Sequence, residues 1–393
     1  MRLPKLRHTA GIDGSSHVWQ DIDQSHVIVI GAGSAGLATA ANLQARGMHV
    51  TVLERGTKPG QSWLQRRENL RLNTIRGLSA LPGRSIDRSA GTWPSGAEYA
   101  RYLHTYATQH EVRIRHNCDV VQVAHGRRAN WDVRLADGDT IPADVVVVAT
   151  GWAAEPHIPL WPGEFTKKLL HAADYRSPED FAGASVLVVG SGNSGAEIAV
   201  ELLGTAAEVR MAVRTPPLLV PADPKLHRVG ALFWWLPEDL VDKLSISTHR
   251  SHYRDLAEHG LPIPTEGVHA RFNRDGTSPT ADRGFADAVR SGRLTITAAV
   301  AALTGDGVQL ANGQEERPDV VIAATGYRPA FAGLVGHLGV LDERGFPAKQ
   351  EEALYFVGAP SLRGDLHVHG QQARRVARAI STTPVNTKRT SDV

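Results

Sequence analysis

One pattern occurs twice in this chain and restricts its fold more than any other feature: an apolar strand enters a Gly-X-Gly-X-X-Gly turn and then an alanine-containing helix. The first turn follows residues 26–30 and the second follows residues 185–189. Glycine alone fits the tight turn, lets backbone approach a pyrophosphate and packs helix against strand. The residues of the two turns are Gly31, Gly33, Ser34, Ala35 and Gly36, and Gly190, Gly192, Asn193, Ser194 and Gly195. Two such units predict two bound dinucleotides, most simply an electron donor and an electron acceptor.

The residues after each turn distinguish the two units. The strand after the first turn, residues 49–53, ends at Glu54, and a carboxylate there accepts hydrogen bonds from ribose hydroxyls and repels a 2′-phosphate. This pattern favours FAD or NAD. The strand after the second turn, residues 209–213, ends at Arg214, whose guanidinium suits the 2′-phosphate of NADP. A solvated arginine at a strand end is the alternative interpretation.

The composition is ordinary for a globular enzyme and excludes several classes of protein. A chain of 393 residues is long enough for two domains, and a net charge of +2 gives no reason to expect nucleic acid as a partner. The apolar runs are too short to span a bilayer. Residues 1–24 lack the apolar core of a signal peptide, so we expect a flexible arm there, a flexible tail at 383–393 and a cytoplasmic location.

The cysteine and histidine content removes two further classes of site. The chain has one cysteine, Cys118, which excludes an internal disulfide and a Cys-X-X-Cys redox pair. The sequence therefore argues against the disulfide-reductase branch of two-dinucleotide proteins. The pairs His249/His252 and His367/His369 have no third ligand at metal-site spacing, so no metal site is predicted.

Two apolar runs end in the same three residues, Ala-Thr-Gly. The run at 143–149 leads into Thr150 and Gly151, and a near copy leads into Thr325 and Gly326. A continuous β-branched run is typical of a buried parallel strand. Small residues at its end permit a sharp exit close to a cofactor or a domain hinge.

These features predict an α/β fold with two Rossmann-like dinucleotide-binding domains, the second inserted into the first. We expect the chain to leave the first domain near residue 151 and to return near residue 320. The boundaries that follow are 25–155 and 318–382 for the first domain, and 156–317 for the second, with a cleft-covering segment at about 215–295. The expected helices are 98–110 and 372–380, and the expected antiparallel strands are 112–114, 119–124 and 131–135.

Between the two units the chain reads Phe165-Thr-Lys-Lys-Leu-Leu-His-Ala-Ala-Asp-Tyr175. This segment resembles the Phe-X-Gly-X3-His-X3-Tyr/Phe fingerprint of the class B flavin-dependent monooxygenases, with Lys167 in place of the glycine. The likeness covers roughly residues 25–380, and segment 230–237 is most similar to the plant-type indole-3-pyruvate monooxygenases and their bacterial relatives. The resemblance implies that the first domain binds FAD and the second binds NADPH.

The resemblance also implies a site. Asn73 lies where the family places a polar side chain that hydrogen-bonds the oxygen species at the flavin; a turn-forming asparagine is the alternative. Segment 61–63 is similar to the part that runs under the flavin ring, and the N-terminus of the last helix is expected to face the ring. Besides the two turns, the candidate cofactor-binding residues are Glu54, Arg55, Gln61, Ser62, Trp63, Arg71, Thr150, Gly151, Arg214, Thr325, Gly326 and Gln371.

The implied function is an NADPH- and FAD-dependent monooxygenase that inserts one oxygen atom from O2 into a small organic substrate through a C4a-(hydro)peroxyflavin. Its reaction would be oxygenation of nitrogen or sulfur, a Baeyer–Villiger oxidation, or oxidative decarboxylation of an α-keto acid. An NADPH-dependent flavin reductase that passes electrons to a ferredoxin-like partner is the alternative, and a non-catalytic redox sensor is a third interpretation. The substrate stays open, no membrane span is expected, and a homodimer is one candidate oligomeric state.

Overall fold

The structure, a computed structural model, describes residues 26–127, 129–232, 236–362 and 364–382. The predicted arm at 1–24 and the predicted tail at 383–393 lie outside the described residues. Within the described ranges, no helix is long and apolar enough to cross a membrane. The same ranges contain no group of three histidine, cysteine or acidic side chains that could hold a metal ion.

The strands are short, and helices or loops connect them. In chain order the strands are β1 (His26–Ile30), β2 (His49–Leu53), β3 (Ile114–Arg115), β4 (Val120–His125), β5 (Trp131–Leu135), β6 (Thr140–Ala143), β7 (Val145–Val148), β8 (Glu155–Pro156), β9 (Lys168–His171), β10 (Ser185–Val189), β11 (Glu208–Ala212), β12 (Leu219–Pro221), β13 (Thr280–Asp282), β14 (Thr295–Thr297), β15 (Val300–Leu303), β16 (Val308–Leu310), β17 (Glu315–Glu316), β18 (Val320–Ala323), β19 (Tyr327–Arg328) and β20 (Leu354–Phe356). The α-helices are α1 (Ser34–Gln44), α2 (Gln61–Leu64), α3 (Arg76–Ser79), α4 (Gly96–Gln109), α5 (Asn193–Leu202), α6 (Pro224–Leu232), α7 (Glu238–Tyr253), α8 (Val268–Asp275), α9 (Phe285–Arg290), α10 (Phe331–Val335) and α11 (Asp365–Thr382).

Two parallel sheets organise the chain. The first has five strands in the order β20-β7-β1-β2-β3, and the second has five in the order β14-β11-β10-β18-β9. Neighbouring strands are parallel throughout both sheets. Each glycine-rich turn joins the central strand of its sheet, β1 or β10, to the helix that follows, α1 or α5. The predicted α/β fold with two dinucleotide-binding units is confirmed.

The central strands are apolar along their whole length because both faces of each sheet are covered. Alternate residues of a strand point to opposite faces. Val27 and Val29 therefore join the core beneath α1, α4 and α11, whereas Ile28 and Ile30 join the core beneath the antiparallel sheet β4-β5-β6 and α10. Full burial of a side chain of this size contributes about 1.5–3 kcal/mol relative to exposure. The second sheet repeats this arrangement, since Leu187 faces a different core cluster from its neighbours in β10.

The structure corrects the expected point of return to the first domain. Strand β18 lies between β10 and β9 in the second sheet, so the chain does not rejoin the first sheet near residue 318 or 320. It crosses back where β19 pairs with β8, and its next strand in the first sheet is β20, beside β7. An apolar run identifies a buried strand but does not specify its neighbours, and this is why the sequence misplaced the boundary.

Two expected helices begin earlier than the sequence indicated. Helix α4 begins at Gly96 because Ser95 caps it and Glu98 closes a capping box. Helix α11 begins at Asp365 rather than at residue 372. Gly370 lies inside this helix and packs against Pro82, where an added Cβ would lie 2.9 Å from a ring carbon.

The expected strands after α4 are correct except for the first. Strands β4, β5 and β6 form an antiparallel sheet. The predicted antiparallel strand at 112–114 is wrong, because β3 pairs with β2 in a parallel register at the edge of the first sheet. Two residues of strand carry too little pattern to show their direction.

Candidate functional site

A cleft of about 2100 Å³ is lined by residues at the carboxyl ends of strands from both sheets. Ligands of open parallel sheets bind at this end of the strands. Most of the residues singled out in the sequence lie on its wall. They are Gly31, Gly33, Ser34, Ala35, Glu54, Arg55, Gln61, Ser62, Trp63, Arg71, Asn73, Thr150, Gly151, Gly190, Gly192, Asn193, Ser194, Arg214, Thr325 and Gly326.

The three glycines of the first turn differ in what a side chain at each position would meet. Gly31 has φ +104°, and a Cβ there would lie 2.8 Å from the carbonyl oxygen of Ala149. A Cβ at Gly36 would lie 1.9 Å from the carbonyl oxygen of Gly31, so this glycine lets α1 approach the strand. A Cβ at Gly33 would meet no protein atom within 4 Å. No protein contact therefore requires glycine at position 33, and the space in front of it is open at the N-terminus of α1, where backbone N–H groups suit an anion.

The second turn reproduces this geometry. Gly190 has φ +106°, with a hypothetical Cβ 2.6 Å from the carbonyl oxygen of Ala324, and a Cβ at Gly195 would lie 1.9 Å from Gly190. Gly192 again has nothing within 4 Å. The chain therefore has two equivalent glycine cradles, the turns at 31–36 and 190–195, and both open into one cleft.

The residues beside the two cradles differ in charge and in the contacts that hold them. Glu54 is fixed by its backbone surroundings: one carboxylate oxygen accepts from the Ala32 N–H at 2.7 Å and the other from the Gly56 N–H at 2.8 Å. Arg214 is exposed on the cleft wall. Its guanidinium has no hydrogen bond or ion pair to another described residue. The first cradle is thus flanked by a fixed carboxylate and the second by a guanidinium that is open to the cleft.

The two Ala-Thr-Gly exits approach the cleft from opposite sides. The Thr150 hydroxyl is buried and has no hydrogen-bond partner within the described chain. On the other side, Thr325 donates its hydroxyl to the carbonyl of His157, and the Nε2–H of His171 donates to the carbonyl of Gly326 at 2.9 Å. His171 keeps that tautomer because its Nδ1 accepts the Ala173 N–H. His171, the histidine of the sequence fingerprint, therefore stabilises the backbone at the second Ala-Thr-Gly sequence.

The substituted fingerprint position is accommodated away from the cleft. The Lys167 ammonium donates to the carbonyl of Pro318 at 3.0 Å and lies 3.8 Å from the carboxylate of Asp319. This lysine ties β9 to the start of β18. It does not line the cleft.

Asn73 presents an uncommitted side chain to the cleft. Its amide has no hydrogen bond to another described residue, whereas its backbone carbonyl accepts from the Nε2–H of His227 at 3.0 Å. Arg71 donates to the carbonyl of Trp93 at 3.1 Å. Trp63 packs edge-on against Tyr99, with ring centroids 5.0 Å apart.

Two other sequence candidates have side chains committed elsewhere. The amide of Asn193 donates to the carbonyl of Pro279 and accepts from the Ala281 N–H, each at 2.9 Å. It fastens the covering segment to α5, so a ligand would meet only its backbone. The expectation for Gln371 is wrong in position, because its side chain is exposed on α11, bonded to His367 and absent from the cleft wall.

A buried ionic cluster at the domain boundary escaped the sequence analysis. Arg67 pairs with Glu197, and its Nε lies 3.0 Å from Glu201; both acids belong to α5. The three side chains are 6%, 10% and 16% exposed. Arg283 approaches Glu197 at 3.5 Å, and burial lowers the pKa of Arg283 to about 10, aided by the positive charges of Arg67 and Arg71. The glutamates are spaced one helical turn apart, but nothing in the sequence places Arg67 opposite them.

The start of α11 adds two further polar groups to the cleft wall. Asp365 accepts the Trp152 indole N–H at 3.1 Å and the Ser361 N–H at 2.7 Å, and burial raises the pKa of its carboxyl. The Nδ1 of His369 lies 2.8 Å from the Ser34 hydroxyl. Its Nε2 is buried without a partner in the described chain, and burial lowers the pKa of this histidine to about 4.

Four apolar side chains lie on the side of the cleft that the covering segment closes. Helices α6 and α7 contribute Leu226, Val229, Val241 and Leu244 to the wall. Leu226 and Leu244 are 48% and 50% exposed. Side chains of this size are usually buried, and their exposure into a cleft is typical of a surface that binds an apolar molecule.

Comparison with known proteins identifies the family to which this chain belongs. Residues 28–232 match the family model described as pyridine nucleotide-disulphide oxidoreductase. The chain is 36% identical over 309 residues to the indole-3-pyruvate monooxygenase YUCCA1 of Oryza sativa subsp. japonica, covering 77% of this chain and 76% of the relative. It is 33% identical over 329 residues to the probable indole-3-pyruvate monooxygenase YUCCA1 of Arabidopsis thaliana, covering 80% of each.

Solved structures agree. A flavin monooxygenase mutant from Stenotrophomonas maltophilia superposes with a TM-score of 0.70 at 25% identity, covering 91% of this chain and 98% of that one. The structure titled as the OTEMO complex with FAD and NADP has the same fold, with a TM-score of 0.69 at 20% identity over 91% of this chain and 84% of that one. The chain belongs to the class B flavin-dependent monooxygenases.

FAD and NADPH serve this family of flavin-dependent monooxygenases, and the cleft fits both. The open face of Gly33, the unpartnered Thr150 hydroxyl and the unpartnered Nε2 of His369 are all on the side of the first sheet. The open face of Gly192 and the free guanidinium of Arg214 are on the side of the second. The single cysteine shows that this flavin-dependent monooxygenase has no internal dithiol, despite the wider description of the matching family model.

Proposed function

We propose that the protein is an NADPH- and FAD-dependent monooxygenase that transfers one oxygen atom of O2 to a small organic substrate. One observation carries the proposal: a single cleft contains two matched glycine cradles, flanked by Glu54 on one side and Arg214 on the other. When bound, FAD accepts a hydride from NADPH and activates O2 for transfer to the substrate.

In this proposal the first sheet holds FAD. Gly33 and the N-terminus of α1 face its pyrophosphate, and Glu54 accepts hydrogen bonds from the ribose hydroxyls. Thr150 and His369 have unused polar atoms on the same wall. A buried polar atom without a partner is unfavourable by about 1–3 kcal/mol, so a ligand that satisfies these atoms gains affinity.

The second sheet holds NADPH. Gly192 and the N-terminus of α5 face its pyrophosphate. Arg214 pairs with the 2′-phosphate, which NADH lacks. The residues that connect the sheets, including the pair of Arg67 with Glu197, keep the two cradles on one cleft.

The substrate binds between the two cradles and the apolar side chains of α6 and α7. These side chains exclude water from the reacting centre. The Asn73 amide, which is neutral and uncommitted, donates a hydrogen bond to the reacting oxygen without supplying a labile acid. Because the similar plant enzymes are named for indole-3-pyruvate, that α-keto acid is the first substrate to test.

The experiment follows reduction and oxygen transfer separately. FAD-loaded protein is mixed anaerobically with NADPH or NADH, and the reduced protein is then mixed with 18O2 and the test substrate. The expected result is faster reduction by NADPH, a delayed return of the oxidised flavin spectrum and one 18O atom in the product. Immediate reoxidation without a labelled product from any substrate, together with reduction of ferredoxin, would instead identify an electron-transfer reductase.

Substitution of Arg214 provides the matched control. Arg214→Gln should slow reduction by NADPH and leave reduction by NADH unchanged. Arg210→Gln removes an arginine from the same segment, but Arg210 pairs with Glu208 and Glu316 away from the cleft. It should therefore leave the preference for NADPH intact.

A further inference from the structure

Two side chains of the second domain hold consecutive backbone carbonyls in the segment that carries Asn73. The Nη2 of Arg283 donates to the carbonyl of Leu72 at 2.7 Å. The Nε2 of His227 lies 3.0 Å from the carbonyl oxygen of Asn73, and it must carry the proton because a carbonyl only accepts. The covering segment of the second domain thus hydrogen-bonds to the segment of the first domain that carries Asn73.

Arg283 and His227 both pack against the indole of Trp93. The guanidinium carbon of Arg283 lies 5.1 Å from the ring centroid. The ring of His227 meets the same indole edge-on, at 4.8 Å and 85°. Arg71, two residues before Asn73, donates to the Trp93 carbonyl. Trp93 therefore fixes both side chains and one end of the segment that they hold.

This arrangement confines Arg283 to an unfavourable environment. Its side chain is 21% exposed, and its one carboxylate neighbour, Glu197, is already paired with Arg67. Desolvation lowers its pKa to about 10, which still leaves it protonated at neutral pH. A desolvated cation is retained only where its hydrogen bonds and ring contacts compensate, and for Arg283 these are the Leu72 carbonyl, beside Asn73, and the Trp93 ring.

The residues on both sides of Asn73 are also restrained from within the first domain. The Leu72 N–H donates to the carbonyl of Pro94 at 2.8 Å, and the Thr74 hydroxyl is 2.6 Å from that of Ser79. The amide side chain of Asn73 itself has no hydrogen bond in the described chain. The direction of this amide therefore depends on the backbone of residues 72–74. The hydrogen bonds from Arg283 and His227 complete the restraint on that backbone.

We propose that Arg283 and His227 are positioning residues that hold the Asn73 amide toward the reacting oxygen when the cover is closed on the first domain. The inference rests on the proposed function. Without this grip, more of the electrons from NADPH leave as hydrogen peroxide, by the balanced reaction NADPH + H+ + O2 → NADP+ + H2O2. Both residues act on the reacting oxygen through the backbone of Asn73.

The test needs no identified substrate. FAD-loaded wild-type protein and the variants Arg283→Met and His227→Phe are given NADPH and O2, and peroxide release is measured beside anaerobic flavin reduction. Each variant should release peroxide about two- to tenfold faster, the range that one lost hydrogen bond provides. Anaerobic reduction should stay within about twofold of wild type. Arg283→Lys keeps the charge and provides a milder variant if Arg283→Met does not fold.

Arg290→Met is the matched control. Arg290 has the same three kinds of partner as Arg283: a carboxylate, Asp255 at 2.6 Å; a backbone carbonyl, that of His252 at 2.6 Å; and an aromatic ring, Tyr253 at 6.0 Å. All of these partners lie within the covering segment. Loss of Arg290 should leave peroxide release unchanged.

A double-mutant cycle separates positioning from a general loss of stability. If Arg283 acts through Asn73, Arg283→Met should add almost nothing in an Asn73→Ala background. Multiplicative effects of the two substitutions, or wild-type peroxide release from Arg283→Met and His227→Phe, would overturn the inference. Neither result affects the proposed function, which fails instead if NADPH does not reduce the flavin of the wild-type protein.

Discussion

Replacing Gly192 with alanine should weaken NADPH binding while leaving the fold intact. Gly192 has φ −70° and ψ 178°, a conformation open to any residue. A Cβ there meets no protein atom within 4 Å. The methyl group enters only the space in front of α5, where close approach of a pyrophosphate requires bare backbone.

The magnitudes follow from these contacts. Since alanine fits the native conformation, stability should change by no more than about 1 kcal/mol, and it can increase through a less flexible unfolded state. NADPH affinity should fall at least about tenfold, or ~1.4 kcal/mol. Gly195→Ala is the opposite case, because its Cβ would lie 1.9 Å from the carbonyl oxygen of Gly190. Such overpacking costs about 1–3 kcal/mol or more in stability.

The assay combines thermal unfolding, FAD content and the NADPH dependence of anaerobic flavin reduction. Gly192→Ala should retain FAD and its unfolding temperature but require much more NADPH. Gly33→Ala, with an equally open Cβ direction, should fold but lose FAD. Wild-type NADPH affinity in Gly192→Ala, or loss of FAD rather than NADPH, would refute the assignment of the two cradles.

Three further outcomes are expected. Arg214→Gln should lower the preference for NADPH over NADH about tenfold or more, measured by reduction kinetics, whereas Arg210→Gln should not. Arg67→Met leaves buried Glu201 without its ion pair and Glu197 with only the 3.5 Å contact to Arg283, and it should cost about 3–5 kcal/mol in urea unfolding; Arg317→Met, whose side chain is 66% exposed, should change stability by less than about 1 kcal/mol. Burial lowers the pKa of His369 to about 4, so the unfolded state binds the proton first and stability is lost as pH falls from about 6.5 towards 4. Between pH 7 and pH 5 the wild type should lose about 2 kcal/mol more than His369→Gln, and equal losses would contradict this reasoning.

The local parts of both nucleotide units were predictable because each depends on neighbours in sequence. The strand, the turn and the helix are contiguous, and Glu54 and Arg214 follow at the ends of the next strands. A continuous apolar run distinguishes a fully buried strand from a half-buried one, which alternates with a period of two, and such runs identified β1 and β7. These arguments need no knowledge of distant contacts.

Errors arose where a distant contact decides the local structure. β18 was assigned to the wrong sheet because its sequence suits either one. α11 begins at Asp365, before the predicted start at residue 372, and the glycine inside it, Gly370, packs against Pro82 from a distant part of the chain. Gln371 was placed in the cleft although its neighbours in α11, His369 and Asp365, are the side chains that line it. A single residue along a helix rotates the side chain by about 100°.

The sequence by itself determined the two cradles, the charges beside them and the doubly wound sheets, because glycine conformation and strand periodicity are local properties. The tertiary structure decided that both cradles open into one cleft, that Arg67 faces two glutamates, and that Arg283 and His227 grip the backbone of Asn73. These relations join residues more than 100 positions apart. Only the packing of one domain against the other brings such side chains together.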